Sequence, residues 1–559
     1  MEKYNKTKYE YLYENNKDYM NYNALTFGNR IITFEEMHYK IEEYKNLLYS
    51  KGVRKGDIIG ICAFNTPEAV YLLYALDRLG ATVVGFNPVD SFENTEKIKS
   101  QIELIKPKMI VSVDVCFKSF KNLENRLNFS TVLYSPMESI NDKIERLKYR
   151  LAQLKTKSLI TSKDSNLLLA EIDSLEAKIA EYKEDRISDI LFTGGTTGTP
   201  KGAMQTARGL NSLVEGMNSI FTPEPGMIHL GNIPIAHMAY GQSLLHYALC
   251  NNMTFALTLK GLPKDFYPEL KRTEANAAAG GPPHWNELIE KKGNIYVTSG
   301  KVTPGSLSAL CYATSGGEAK KDTLTKAINE ALRYAGSSAV LGDGLGLTEN
   351  FGPAIINNGR TYGQNTIGKP ISTLNTKLIN PETHKEVQDG EEGELWISGP
   401  SVMKGYYNDP EETAKVTKYD KETGEVWLNT GDVLIKKDGV YTYAGRTKRL
   451  FVSGIDDIYP EQLENRLLEI PEIKEAVVTS IPDDLKQNIP IYHLFLHDGE
   501  IDHQILEAKI NKLVLKYFNE NWLPGSIDYH SNLYYTPNLK VNIKYYQNQG
   551  RQNEERKIG

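Results

Sequence analysis

The feature that most restricts the fold is a strand–helix–strand alternation near the N-terminus. Ile58–Ala63 is a short apolar run that follows the turn-like KGVRKGD and reads as a buried strand. Pro67–Leu79 then carries a helical pattern, and Ala81–Phe86 is a second apolar run. Two strands joined by a helix pair in parallel, because a parallel pair needs a long crossover between its members. The unit therefore predicts an α/β protein, a parallel-containing sheet with helices on both faces. Lys108–Val113 reads as the next strand. Ahead of the unit, residues 33–50 carry apolar positions at helical spacing after Thr33, with Glu36 placed for a capping box.

Charge and composition then exclude several classes. The chain has 559 residues, with 65 Lys+Arg against 71 Asp+Glu and a formal net charge of −6. No broad basic surface is available for nucleic acid, so no nucleic-acid partner is expected. The four cysteines (Cys62, Cys116, Cys250 and Cys311) are scattered and form no CxxC pair. That excludes a disulfide scaffold or a cysteine-rich zinc module and suits a reducing, cytoplasmic setting. The polar start lacks the apolar core of a signal peptide, and no run reaches the roughly 18 apolar residues of a transmembrane segment. A large cytoplasmic enzyme is the expectation.

Residues 139–184 differ in texture. Ile140, Ile144, Leu147, Leu151 and Leu154 recur at four-three spacing, and Leu168, Ile172, Leu175, Ile179 and Tyr182 repeat the pattern. The turn-like 161–166 separates the two runs, which predicts a helical hairpin insertion with one apolar stripe per arm. The stripe either packs on the body or the other arm, or docks a partner such as a carrier protein or a second subunit in a homodimer. After Arg446 the pattern becomes a small α+β unit: helices at Tyr459–Ile470 and Ile505–Phe518, strands at Glu475–Ser480 and Ile491–Leu496.

The chemistry concentrates in a loop. Ile190-Leu191-Phe192 runs into Thr193-Gly194-Gly195-Thr196-Thr197-Gly198-Thr199-Pro200-Lys201-Gly202. Glycines let successive backbone N–H groups converge on an anion, the threonine hydroxyls add donors, and Lys201 adds charge. Pro200 precedes the lysine and no Ser or Thr follows it, so this is not a Walker A loop.

TGGTTGTPKG resembles the phosphate-binding signature of the adenylate-forming superfamily, which holds acyl-CoA synthetases, adenylation domains of nonribosomal peptide synthetases and luciferases. The other signatures follow in order: Pro234-Ile235-Ala236-His237, Ser315-Gly316-Gly317-Glu318-Ala319, Gly344 to Glu349, Gly393 to Tyr406, Trp427 to Asp432, Gly445-Arg446, and Thr536 to Val541. The resemblance spans essentially the whole chain. It implies a large N-terminal ATP- and acid-binding domain over 1–445, including a β-barrel-like subdomain, and a small mobile α+β domain over 446–559.

It also implies a two-step reaction. A carboxylic acid and ATP give acyl-AMP and pyrophosphate, and the acyl group then passes to a thiol, either coenzyme A or a carrier-protein phosphopantetheine. By the same resemblance Thr193, Gly194, Gly195, Thr196, Thr197, Gly198 and Lys201 hold phosphates. Gly317, Glu318, Ala319, Asp343 and Leu345 lie by the nucleotide, and Asp432 and Arg446 meet the ribose. Thr348 would donate to the α-phosphate, Glu349 with Thr196 would hold Mg²⁺, and Lys540 would be the catalytic lysine bridging carboxylate and phosphate. His237, Gly281 (within Gly280–Pro283), Thr314 and the stretch Phe351–Ile355 would line the acid pocket. His237 reads equally as a core histidine satisfied by a backbone carbonyl. His246 and His284 carry no motif and read as structural.

Four positions depart from the family pattern. Leu345 stands where a stacking Tyr is common, so its nucleotide contact would be apolar packing. Leu539 replaces the glycine before the lysine. Ile455 replaces a second glycine in the loop that approaches pantetheine. Arg449 stands at the hinge, where Asp or Lys is common, and is expected to be exposed. His237 also stands where amino-acid-activating relatives place an Asp for the α-ammonium, which favours an acid without one.

Overall fold

The predicted crossover lies in the middle of a parallel sheet. The computed structural model describes residues 3–136, 179–193, 200–292, 295–316, 322–363, 366–449, 451–453, 456–483, 486–499, 501–534, 541–543 and 545–549. Strands Ile58–Cys62 and Thr82–Phe86 pair in parallel and belong to a six-stranded sheet. Its order is Ser130–Tyr134, Met109–Val113, Ile58–Cys62, Thr82–Phe86, Ile187–Phe192, Gly202–Thr206; all pairs are parallel except the last. The crossover helix Pro67–Leu79 starts where Thr66 caps Ala69 and proline occupies the first turn. It ends where Gly80 turns left-handed at φ 72°, which lets Ala81 N–H close back on the Leu76 carbonyl.

One sequence expectation changes here, and one element is new. Thr33 caps the helix Phe34–Ser50 through Glu36 N–H, but the Glu36 carboxylate pairs with Arg30 at 2.7 Å rather than closing a capping box. The polar N-terminus also forms a helix, Lys8–Asn16, with a full Thr7/Glu10 capping box. Its Lys8 is buried and meets Asp189 at 2.9 Å, and Gln242 and Ser188 complete that carboxylate's shell. A buried cation needs such a partner, and this one anchors the helix to the strand that feeds the glycine-rich loop.

A second, nine-stranded sheet has the order Lys369–Pro370, Gly352–Asn357, Leu341–Leu347, Tyr312–Gly316, Ala277–Gly280, Ile228–Gly231, Thr254–Leu257, Asn23–Phe27, Arg30–Thr33. Its interior is parallel and its ends antiparallel. One apolar core runs between the two sheets, through residues such as Leu73, Val84, Leu213, Ala248 and Phe351.

The barrel-like subdomain is a five-stranded antiparallel sheet built from Asn375–Ile379, Glu392–Ser398, Val426–Lys437, Thr417–Tyr419 and Val440–Arg446. Two of its outer strands lean together, with the hydroxyls of Thr376 and Tyr441 at 2.7 Å. Beyond it, helices Pro460–Leu467 and His503–Tyr517 pack on strands Ile473–Asp483, Gln487–Leu496 and Ser526–His530 around a separate core holding Leu463, Leu494, Leu506 and Val514. The C-terminal α+β unit read from sequence is therefore a separate domain with its own core.

Arg449 is not the exposed hinge residue expected. Its guanidinium is largely buried, bonded to Glu461 at 3.0 Å, to Glu464, and to the Val478 carbonyl at 3.1 Å. The two carboxylates lie three residues apart on one helix, so both face it. Most of the 139–184 hairpin (139–178) lies outside the described residues. Residues 179–184 are not helical as expected: they form a coil laid along the end of helix Pro67–Leu79, with Ala180 N–H on the Arg78 carbonyl. Among the described residues no helix is long and apolar enough to cross a membrane.

Candidate active site

The glycine-rich loop joins the antiparallel pair Ile187–Phe192 and Gly202–Thr206, with Phe192 opposite Gly202. Thr193 N–H donates to the Lys201 carbonyl at 3.0 Å and so closes the base of the loop. Lys201 Nζ is paired with Glu412 and sits 5.4 Å from the centre of the Tyr406 ring. Glu412 opens the helix Pro410–Val416, which Asp409 caps, and it also binds Lys415. The Lys201 hydrogen bond, and then that of Lys415, hold its carboxyl down to about 2.

Thr348 and Glu349 form a single 3₁₀ turn at the end of strand Leu341–Leu347. Phe351 then takes a left-handed φ of 59°, which reverses the chain into strand Gly352–Asn357. The turn is held from three sides. Gln205 Nε2 donates to the Thr348 carbonyl at 2.7 Å, Met403 N–H donates to the Glu349 carbonyl at 2.8 Å, and Ser401 bonds Asn350 at 2.8 Å. The Tyr406 hydroxyl donates to the Glu349 carboxylate at 2.8 Å. Burial, and then the Glu349 charge, push the Tyr406 phenol well above its ordinary value, so it remains a donor. A carboxylate offers about four lone-pair sites, so Glu349 keeps acceptor capacity for a hard cation.

Asp432 and Arg446 face each other across strands Val426–Lys437 and Val440–Arg446, with Nε 2.6 Å from Oδ1. Asp432 is buried at 2% exposure, while the Arg446 side chain is 46% exposed. The preceding turn is fixed by side chains: Asn429 accepts from Gly431 N–H, Thr430 accepts from Asp432 N–H, and Glu394 ties Asn429 to Thr447. The Asp432 charge raises the Arg446 pKa further, so the guanidinium stays charged.

Among the acid-pocket candidates, Thr314 lies on a central strand between Ala279 and Gly342. Its carbonyl accepts from Trp285 Nε1 at 2.9 Å, and Gly281 caps the short helix that carries Trp285. The buried Tyr240 phenol bonds Thr314 and feels the charge of Asp343, so these three are neighbours. Leu345 is buried and lies opposite Ile355. His237 follows a segment pressed hard on strand Thr82–Phe86, where a Cβ at Gly85 would come 2.0 Å from the Ala236 carbonyl. Its Nδ1 is buried and has no partner among the described residues, so the backbone-satisfied reading is not met at that atom. Burial, helped by the Lys97 charge, lowers its pKa to about 4. His246 is structural, held between Tyr74 and Asn211 at 2.9 Å each. His284 rests on the Gly261 carbonyl.

The structure thus gathers Lys201, Thr348 and Glu349 into one cluster and Asp432 with Arg446 into another. Among the described residues no hydrogen bond or ion pair joins the two, nor His237 to either. Gly194, Gly195, Thr196, Thr197, Gly198, Gly317, Glu318, Ala319, Leu539, Lys540 and Ile455 lie outside the described residues. Sequence reasoning missed Gln205, Tyr240 and Glu412 and gave Tyr406 no role. Only Glu412 left a local signal, an Asp409-Pro410 helix start that puts it in the first turn.

The family model described as "AMP-binding enzyme" matches residues 12–407. The long-chain-fatty-acid–CoA ligase of Bacillus subtilis (strain 168) is 23% identical over 517 residues, covering 90% of this chain and 88% of the relative. The 4-coumarate–CoA ligase 4 of Arabidopsis thaliana is 24% identical over 503 residues, 87% and 81% of the two chains. Among solved structures, ATP-bound MatB from Rhodopseudomonas palustris superposes with a TM-score of 0.79 at 18% identity, covering 96% of this chain and 98% of that one. At that identity the match speaks for the fold.

Proposed function

This chain belongs to the AMP-binding enzymes, and from that premise we propose that it joins a carboxylic acid to coenzyme A at the expense of ATP. The family match over residues 12–407 carries the reading. In the first step a carboxylate oxygen of the acid attacks the α-phosphorus. That O–P bond forms as the α–β bridging bond breaks, and pyrophosphate leaves with the electron pair. In the second step the thiolate of coenzyme A attacks the acyl carbon and AMP departs.

The residue roles below are our assignment. Lys201 exchanges Glu412 for the β- and γ-phosphates, beside the backbone donors of 194–199. Thr348 donates to the α-phosphate from a turn whose backbone Gln205 and Met403 hold. Glu349, oriented by Tyr406, would hold Mg²⁺ together with Thr196; the ion, when bound, would neutralise phosphate charge. Asp432 accepts the ribose hydroxyls, and Arg446 stays beside it as a fixed cation. Lys540 bridges the acid and the α-phosphate. Thr314, Gly281 and His237 border an acid without an α-ammonium, with Asp343 and Leu345 on the nucleotide side.

We further assign residues 446–559 as a mobile domain that rotates between the half-reactions, with the body ending at 445. Free buried thiols at Cys62, Cys116 and Cys250 suit a reducing, cytoplasmic setting.

The test is acid-dependent ATP–pyrophosphate exchange with a panel of acids, followed by thioester analysis with coenzyme A and, separately, with a phosphopantetheinylated carrier protein. Acyl-CoA formation is expected. Thioester on the carrier alone would retire the coenzyme A reading, and absence of exchange with every acid would retire acid activation.

A further inference from the structure

The C-terminal domain holds a group of side chains that the proposed reaction does not use. Strands Gln487–Leu496 and Ser526–His530 run in parallel, with His493 beside Asp528 and Phe495 beside His530. Registered neighbours, and residues two apart on a strand, share a face, so His493, Asp528 and His530 converge. His493 Nδ1 lies 3.1 Å from His530 Nε2 and 3.7 Å from Asp528 Oδ2, and one ligand atom from each of the three residues lies within 4.8 Å of the others. Two ligand atoms on bonds of about 2.05 Å to a tetrahedral ion stand about 3.3 Å apart, a value these two separations bracket.

The surroundings fit a ligand set. The far nitrogen of His493 is 2.9 Å from the Thr479 hydroxyl, the kind of outer hydrogen bond that fixes a ligating imidazole in orientation and tautomer. His493 is fully buried, whereas Asp528 and His530 are part-exposed, which leaves an open side for metal entry and for water as a fourth ligand.

We propose that His493, Asp528 and His530 bind one divalent transition-metal ion, with Zn²⁺ the ion that two imidazoles and a carboxylate suit best. The buried Tyr546 packs on both imidazoles, 5.4 Å from each ring, and its hydroxyl accepts from Tyr534 N–H at 2.7 Å. The Asn542 N–H closes on the Tyr534 carbonyl at 2.9 Å. Metal binding therefore braces the chain on either side of residues 535–541. Its bearing on catalysis rests on the role proposed for Lys540; the binding itself does not.

The test uses the full-length protein stripped with a chelator and titrated with Zn²⁺ by calorimetry. Co²⁺ is added in parallel to read the visible bands of a low-symmetry four-coordinate ion. Wild type is expected to bind one equivalent, and both His530→Gln and Asp528→Asn to weaken it by at least about tenfold and remove the Co²⁺ bands. Circular dichroism confirms that the variants are folded; the part-exposed positions and the similar size of the replacements favour this. Equal Zn²⁺ binding and an unchanged Co²⁺ spectrum in both folded variants would overturn the proposal, as would wild type binding no equivalent. Neither readout depends on ligase activity, so failure here and failure of the ligase reading are distinguishable.

Discussion

Replacing Tyr406 with Phe isolates one atom of the candidate site. The ring, its place 5.4 Å from Lys201, and the backbone bridge between Tyr406 and Ala203 all remain. What disappears is the 2.8 Å hydrogen bond to the Glu349 carboxylate. A hydrogen bond to a charged group is worth about 1.5–3 kcal/mol, which at 1.4 kcal/mol per decade is about 10–100-fold. Outer hydrogen bonds to metal ligands cost a similar factor when removed. The expected result is a rise of about 10–100-fold in the Mg²⁺ concentration for half-maximal pyrophosphate exchange, with little change in melting temperature.

Tyr406 acts through Glu349 on this reasoning, so the effect must vanish when Glu349 is already disabled: Tyr406→Phe added to Glu349→Gln should change residual exchange less than twofold. The pH profile provides a second check. Because the phenol stays protonated across the assay range, Tyr406→Phe should leave the alkaline limb of the rate in place. A folded Tyr406→Phe protein with wild-type Mg²⁺ dependence and rate would refute the argument. So would full additivity with Glu349→Gln.

Four further outcomes are expected. Lys540→Ala should lower adenylate formation by about 3–4 kcal/mol, a hundred- to thousandfold, while thiol transfer from a supplied acyl-adenylate persists; equal loss of both half-reactions counts against the role. Asp432→Asn should raise the KM for ATP by about tenfold or more, and a 2′-deoxy nucleotide should then discriminate less between variant and wild type. Arg449→Met leaves Glu461 and Glu464 without their shared cation and should destabilise the C-terminal domain by about 3 kcal/mol, read by chemical denaturation. Acid should also weaken the fold well above carboxylate pH. Burial lowers His38 and His229 to about 4 and His246 to about 3, so the unfolded chain binds more protons as pH falls from 6.5. Stability is then full above 6.5 and falls by about 1.4 kcal/mol per pH unit for each histidine down to about 4; equal stability at pH 7 and 5 would contradict this.

The crossover was legible because each device that sets it is local: an apolar run, a Thr66-Pro67 start, a Gly80 stop. The helix Lys8–Asn16 was not, because its buried Tyr9, Tyr11 and Leu12 make no regular apolar stripe and its buried Lys8 needs Asp189 far along the chain; the Thr7/Glu10 spacing was a local trace of its start. The nine-stranded sheet hides for a similar reason. Asn23–Phe27 finds its parallel partner at Thr254–Leu257, and Ala277–Gly280 is too short and too small-chained to announce a strand. Site residues stand in contiguous motifs and could be named. Their partners Gln205, Tyr240 and Glu412 come from other motifs or from none. Arg449 was misjudged although the answer was local, since Glu461 and Glu464 at i, i+3 on a helix make one acidic face.

Those partners bear on how the proposed phosphate-binding residues would work. Lys201 already holds Glu412, and Arg446 already holds Asp432. On the proposed roles an arriving nucleotide would therefore meet cations whose charge is matched, in a chain whose net charge is −6. On the proposed roles, binding at Lys201 is an exchange of one oxyanion for another, with Glu412 released to Lys415 and solvent. Exchange adds little net Coulomb attraction. The Tyr406 ring, 5.4 Å from the Lys201 ammonium while it holds Glu412, is a second attractive contact beside that carboxylate. The Asp432 pair works differently. In the proposed role a ribose hydroxyl would donate to the carboxylate without displacing the guanidinium, so this pair would remain intact. If the proposed roles hold, selectivity for a triphosphate would have to come from groups other than Lys201, which already holds an oxyanion.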